Sequence, residues 1–230
     1  MRLISFLLCL IPINFCLSQQ EFFENKTEKQ LYNFNAFKSG EKLEYRLNYG
    51  FFNASYASLT LKDEVLDGKK VLRATSIGRT TGLARLFFKV DDIYETFFPK
   101  EKVKPVKSIR DIYEGGYERE AETIYDYKNN KALFYDKLKN IKKEFDIHPD
   151  IQDIISTFYY LRKHFDIASL KPNDLIYVDI FFDEEIYPFK MMFLGIERIK
   201  TKFGIVECMK LRPYMESGRV FRDNEGIKIW

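Results

Sequence analysis

Lys42-Leu43-Glu44-Tyr45-Arg46-Leu47-Asn48-Tyr49 is the stretch that decides the fold class. Leucines and tyrosines alternate with Lys, Glu, Arg and Asn. In an extended chain that period of two gives one apolar and one wet face. Leu59 and Leu61 continue the theme, and Asp67-Gly68 supplies a hairpin turn ahead of a strand over 71–77. Residues 81–88 are short and helix-like. Further strands are expected over 90–98, 107–113 and 117–127, and, after Asn129-Asn130, over 132–138. Beyond Pro172-Asn173 they resume over 175–182, 187–195, 196–201, 205–211 and 220–230.

One segment breaks the period of two. After Pro149-Asp150, the residues Ile151, Ile154, Ile155, Phe158, Leu161 and Phe165 recur at spacings of three and four, which predicts an amphipathic helix over 150–165. Proline near the first turn, with acids at 150 and 153, suits a helix start. Short strands joined by short turns imply an antiparallel meander and not alternating βαβ units. No linker, repeat or low-complexity tract divides the chain, so residues 40–230 read as a single domain. The expected fold is mainly β: an antiparallel meander forming a curved sheet or open barrel, with one amphipathic helix packed on its concave side.

Residues 1–18 read as an export leader. Arg2 gives a positive start, 3–15 is almost wholly apolar, and Cys16-Leu17-Ser18 sets small residues before Gln19. The apolar run is too short for a helix crossing a bilayer core about 30 Å thick. The expected location is therefore the periplasm or cell envelope, after cleavage near Ser18, with no membrane span in the mature chain. Residues 19–39 form a lead-in. Net charge is only +3, and +2 once Arg2 leaves, so nucleic acid is not an expected partner. Lys139-Asn140-Ile141-Lys142-Lys143 reads as a solvated hairpin end. Cys208, the one cysteine left after cleavage, falls in an alternating run and is expected as a buried core thiol.

Several blocks are similar to an exported family of Gram-negative bacteria known as domain of unknown function 3108. They are Gly40-Glu41-Lys42-Leu43-Glu44-Tyr45 with Tyr49-Gly50-Phe51, Phe88-Lys89-Val90-Asp91-Asp92, Glu114-Gly115-Gly116-Tyr117, Gly195-Ile196-Glu197, residues 201–204, and Leu211-Arg212-Pro213. The most specific is Gln152-Asp153-Ile154-Ile155-Ser156-Thr157-Phe158-Tyr159-Tyr160-Leu161-Arg162. The resemblance covers most of residues 40–230 and implies an exported β-rich protein without an established activity. It also implies a family that runs somewhat past Trp230. At fold level only, the pattern is similar to the half-barrel lipoprotein carriers of the periplasm, a likeness that does not license function.

Catalytic patterns are weak. There is no Gly-x-Ser-x-Gly elbow, and only His148 and His164 could act as a base. His148, Asp150 and Asp153 have ligand-like spacing but straddle a helix start, where capping explains them, so neither a metal nor another cofactor is expected. Asp91, Asp92, Glu114, Glu118, Glu120 and Glu122 could pair as acid and base for glycan hydrolysis, or simply pair with Arg110 and Arg119. Asp153 and Arg162 lie within an apolar helix and need partners, either strand residues or the acidic headgroup of a ligand.

Aromatic residues make 17% of the chain, more than a minimal core uses. The expectation is a non-enzymatic carrier or binding module for a lipid, acyl chain or lipoprotein. Asp153, Phe158, Tyr159 and Arg162 are its candidate ligand-binding residues. The alternatives are a scaffold docking on another envelope protein, and a glycan hydrolase.

Overall fold

A computed structural model describes residues 36–49, 52–164, 169–214 and 228–229. The leader over 1–18, most of the lead-in, Phe165 and nearly all of the strand expected over 220–230 lie outside the described residues.

Alternation becomes eight antiparallel strands, each hydrogen-bonded to its sequence neighbour. They are β1 (Lys42–Tyr49), β2 (Phe52–Leu66), β3 (Lys69–Thr80), β4 (Val90–Phe98), β5 (Lys107–Glu114), β6 (Tyr117–Asp126), β7 (Lys131–Asp136) and β8 (Ile141–Asp146). The order β1 to β8 is an uncrossed meander, and β1 and β8 remain its two edges, so the sheet is not closed. Asp67 (φ 49°) and Gly68 (φ 74°) form the expected tight turn between β2 and β3. Helix α1 (Gly82–Phe87) lies between β3 and β4. Strand β8 carries the Lys-rich cluster anticipated only as a hairpin end: Lys139 and Asn140 make the turn, and Ile141, Lys142 and Lys143 open the strand.

After β8 the chain leaves the sheet. The expected helix begins four residues later than Pro149-Asp150 suggested, as α2 (Ile154–His164). The intervening backbone is used elsewhere: Gln152 N–H donates to Asp179 O at 2.9 Å and Phe181 N–H donates to Gln152 O at 2.8 Å. The last three strands do not extend the meander but form a second sheet, ordered β11-β10-β9. These are β9 (Leu175–Phe182), β10 (Glu185–Thr201) and β11 (Gly204–Tyr214). The expected break at 195–196 is a register shift between Phe193 and Gly195 inside one long β10. Ile229 bridges Leu211 on the outer side of β11.

Helix α2 is shared by two cores and is not merely laid on one sheet. Ile155 and Tyr159 join Phe37, Leu59, Leu61, Leu72 and Phe98 against β2–β4. Leu161 instead joins Ile176, Val178, Ile180, Met191 and Phe193 of the small sheet. A third cluster, Tyr125, Ala132, Ile147, Ile151 and Phe181, connects β6–β7 to β9. The far half of the β10–β11 hairpin extends beyond β9. There Cys208 is only half-buried, not the core thiol expected, and Phe203 is 83% exposed.

Candidate functional site

The four candidate binding residues sit on or beside α2, and three of them are engaged in holding the fold. Asp153 is the N-cap: its Oδ1 accepts the N–H groups of Ile155 (2.9 Å) and Ser156 (2.7 Å). Ser156 Oγ accepts the Asp153 N–H at 2.8 Å, a reciprocal box. The Thr96 hydroxyl donates to Asp153 Oδ2 at 2.5 Å, fastening the helix start to β4. Burial pushes this carboxyl up to about 6, against the pull of its hydrogen bonds.

Tyr159 is fully buried, its ring 5.1 Å from Phe37 and 5.4 Å from Phe98. Its hydroxyl has no partner among the described residues. Arg162 finds the strand-side acid that its position demands. It forks onto Glu41 at 2.6 and 2.8 Å and donates to Ala36 O at 2.6 Å. Phe158, expected on the core face, is 41% exposed, and its neighbour Tyr159 takes the buried place.

The space beside these residues is small. A cavity of about 30 Å³, lined among others by Tyr94, Arg110, Phe134, Asp153 and Phe181, has room for a water molecule or two. Ligand pockets run to roughly 300 Å³ or more. A more open, polar cleft of about 320 Å³ lies outside this core, between His148, Asp150, Tyr160, Tyr177, Val178 and Asp179.

The β9–β10 turn supplies two residues that sequence reasoning missed. Asp183 (φ 50°) and Glu184 (φ 71°) occupy the left-handed conformation that Asn-Gly normally takes in a two-residue hairpin. Their carboxylates clasp the large sheet. Asp183 Oδ1 receives Arg110 and Arg119, each at 2.8 Å, and Glu184 receives Arg119 at 2.9 Å as well as Lys143. Arg110 lies 4.2 Å over the Phe182 ring. The arginines thus pair with the turn and not with the β6 acids: Glu120 goes to Lys137 and Glu122 to Lys107. An acid pair between two apolar strand runs, where turn formers belong, was the available signal.

Of the six acids weighed for hydrolysis, Asp92 and Glu114 come into contact. Burial, then the neighbouring Glu114 charge, raises Asp92 to about 6. Carboxyls in hydrogen-bonding contact are closer than the roughly 5 Å at which retaining glycosidases flank a scissile bond. His148 stands apart from Asp153, with Nε2 3.0 Å from Asp179 Oδ2. No three metal-ligating side chains gather among the described residues. His164 stacks on Tyr160 with centroids 4.3 Å apart, as its place in the last helical turn allows. Lys163, 2% exposed, donates to Lys100 O (2.5 Å) and Glu101 O (2.7 Å), pinning the turn after β4.

Helix α1 is turned inside out. Leu83, Leu86 and Phe87, at spacings of three and four, share one face and are 59%, 80% and 88% exposed, and the helix buries no residue. Its charged side faces the protein: Arg85 forks onto Asp91 at 2.8 and 2.7 Å and donates to Val90 O at 3.2 Å. That fork raises the Arg85 guanidinium and holds Asp91 below the usual carboxylate range.

An open antiparallel meander with a helix wedged against a second small sheet places the molecule in the mainly β class. The chain belongs to the family described as protein of unknown function DUF3108, whose model matches residues 44–230. Among solved structures it is similar to a DUF1089 family protein from Pseudomonas aeruginosa. That pair is 12% identical with a TM-score of 0.38, over 75% of this chain and 88% of the other. It is also similar to a beta-barrel-like protein of the DUF1849 family from Brucella abortus. Here identity is 10% and the TM-score 0.41, over 72% of each chain. A curated relative, the DNA-directed RNA polymerase subunit alpha of Tetradesmus obliquus, is 24% identical over 89 residues. That match spans 39% of this chain and 19% of the relative.

Proposed function

We propose that the protein is a non-enzymatic binding module of the cell envelope that holds an apolar partner on its surface. The observation that carries this reading is α1, whose apolar stripe points away from the body while Arg85 anchors its polar side. Large apolar side chains at 80% and 88% exposure on a short helix cost solvation without stabilising the fold. A cavity of about 30 Å³ favours surface contact over enclosure of an acyl chain. The pairing of Asp91 with Arg85, Glu120 with Lys137 and Glu122 with Lys107 supports a non-catalytic role for those three acids. A scaffold docking on another envelope protein is the second reading, favoured by Phe203 and Ile205 (83% and 66% exposed) on the β10–β11 hairpin.

The test is the fluorescence of an apolar dye with the folded protein at neutral pH. The native chain is expected to enhance emission, and Leu86→Ser with Phe87→Ser to remove most of that gain at unchanged Tm. No enhancement by the native protein, or equal enhancement by the variant, overturns the surface-binding reading.

A further inference from the structure

Resting on that reading, we propose that the occupant of the α1 face is a lipid bilayer surface, into which Leu83, Leu86 and Phe87 insert. Six residues make a helix about 9 Å long, too short to be stable alone. Its orientation is therefore set by its attachments. Phe88 N–H closes onto Ala84 O at 2.9 Å, Thr80 Oγ1 donates to Phe88 O at 3.0 Å, and the same oxygen accepts Val90 N–H at 2.9 Å. With Arg85 on Asp91, these bonds tie both ends of the helix to one rim of the large sheet.

Gly115 (φ +58°) lies under the Phe88 ring, and a Cβ there would come to 2.2 Å from that ring. A side chain at 115 would make the Phe88 ring, 53% exposed, swing aside. The presentation of the apolar face therefore rests on the hydrogen bonds and the Arg85 fork.

Shape and area choose the occupant. Leu83, Leu86 and Phe87, 59%, 80% and 88% exposed, together present roughly 400 Å² on a six-residue helix, from typical side-chain areas. A standard protein interface needs about 800 Å² per partner with a complementary surface. A bilayer needs no matching groove: interfacial segments sink an apolar face about 5–10 Å into the headgroup boundary. Near the helix, Arg79 on β3 is exposed and can meet a lipid phosphate, whereas Lys89 is shared with Asp91 at 3.5 Å and lies over the Tyr113 ring. Tyr117, 51% exposed at the start of β6 just after the Gly115-Gly116 turn, is a residue type suited to that boundary.

The experiment is flotation of the exported, processed chain with vesicles of phosphatidylethanolamine and phosphatidylglycerol. The native protein is expected to float. Leu86→Ser with Phe87→Ser is expected to lower the bound fraction about tenfold or more, as loss of two inserted side chains requires. Its substitutions lie at solvent, so its Tm is expected to stay unchanged. In a Trp230→Phe background, Phe87→Trp supplies a single reporter whose emission is expected to shift to the blue only when vesicles are added. Native protein left in the aqueous layer, or equal flotation of the double variant, overturns the proposal. Emission of the Phe87→Trp variant that is already blue without vesicles also overturns it, because a segment of the chain or another copy then covers the face. Dye enhancement without flotation removes the bilayer assignment alone, whereas loss of both removes the surface-binding reading with it.

Discussion

Replacing Asp153 gives the sharpest test of how this molecule is held together, because Asn and Ala separate its two roles. Asp153→Ala removes the acceptor for two backbone N–H groups and for the Thr96 hydroxyl, all buried. A lost N-cap costs about 1–2 kcal/mol, and leaving Thr96 unpaired adds a further 1–2 or so, giving about 3 kcal/mol near pH 4, where the native carboxyl is protonated, and less as pH rises. Asp153→Asn keeps the cap oxygen and offers an N–H to Thr96, but it cannot ionise.

Burial pushes the native carboxyl up to about 6, whereas an unfolded aspartate titrates near 3.9. The folded state therefore holds its proton more tightly. The stabilisation is complete below about pH 4 and is lost as pH rises through 6. The gap corresponds to about 3 kcal/mol, at 1.36 kcal/mol for each tenfold in proton affinity. Urea unfolding of native and Asn variants at pH 4, 5, 6 and 7 measures it. Asp92 and other shared titrations cancel in the difference. Near pH 4 the two proteins should be within about 1 kcal/mol of each other, and by pH 7 the Asn variant should lead by up to 3. A difference that does not change with pH, or a native protein that gains on the variant as pH rises, refutes the reasoning. It would mean that the helix N-terminus and three hydrogen-bond donors outweigh desolvation and keep Asp153 charged.

Phe158→Ala should cost less than about 1 kcal/mol and Tyr159→Ala about 3–5, in chemical denaturation, since one ring is 41% exposed and the other fully buried. Tyr159→Phe should leave stability unchanged or raise it by about 1 kcal/mol, because it deletes a buried hydroxyl without a described partner; a loss above that would reveal a partner. Asp183→Gly relaxes a left-handed backbone but strips Arg110 of its carboxylate and leaves Arg119 with Glu184 alone, for a net loss of about 1–2 kcal/mol. A higher Tm for that variant would show that the clasp contributes nothing. A double-mutant cycle on Glu41 and Arg162 should return a coupling of about 1–3 kcal/mol, and a value near zero would reduce the fork to an incidental surface pair.

Periodicity made much of this fold legible. The strands expected over 90–98 and 175–182 coincide with β4 and β9, because each is rich in β-branched and aromatic residues and Pro99 and Pro172-Asn173 mark the end of one and the approach to the other. Strand β8 was hidden because an edge strand with charge at Lys142, Lys143 and Glu144 has no apolar face to show. The true start of α2 is marked by Asp153 with Ser156 three residues on, a signal that competes with an equally plausible proline start at Pro149. The split into two sheets was not readable, since β9, β10 and β11 have the same alternation as β1 to β8 and only long-range pairing separates them. Phe158 and Tyr159 are adjacent rings on one helix, and a sheet packed on either side decides which is buried. The Arg162 requirement for an acid was legible, but its identity as Glu41 was not. For α1 the residue spacing implies an amphipathic turn and a default direction, core inward; Asp91 on the neighbouring strand reverses it through Arg85.

The unbroken order β1 to β8 also governs how the chain reaches its folded state. Each strand meets its partner as soon as the next hairpin exists, so the large sheet assembles from local contacts, the quick kind of pairing. Its apolar face is another matter: Leu61, Leu72 and Phe98 are covered by Tyr159, which follows Phe98 by 61 residues. Where the chain emerges N-terminus first at a pace like that of synthesis, about 5–20 residues per second, that face stands open for roughly 3–12 s. During that interval the growing chain is a sheet without its covering layer, and shielding by a holding factor or by slow, ordered emergence has its largest effect on yield there.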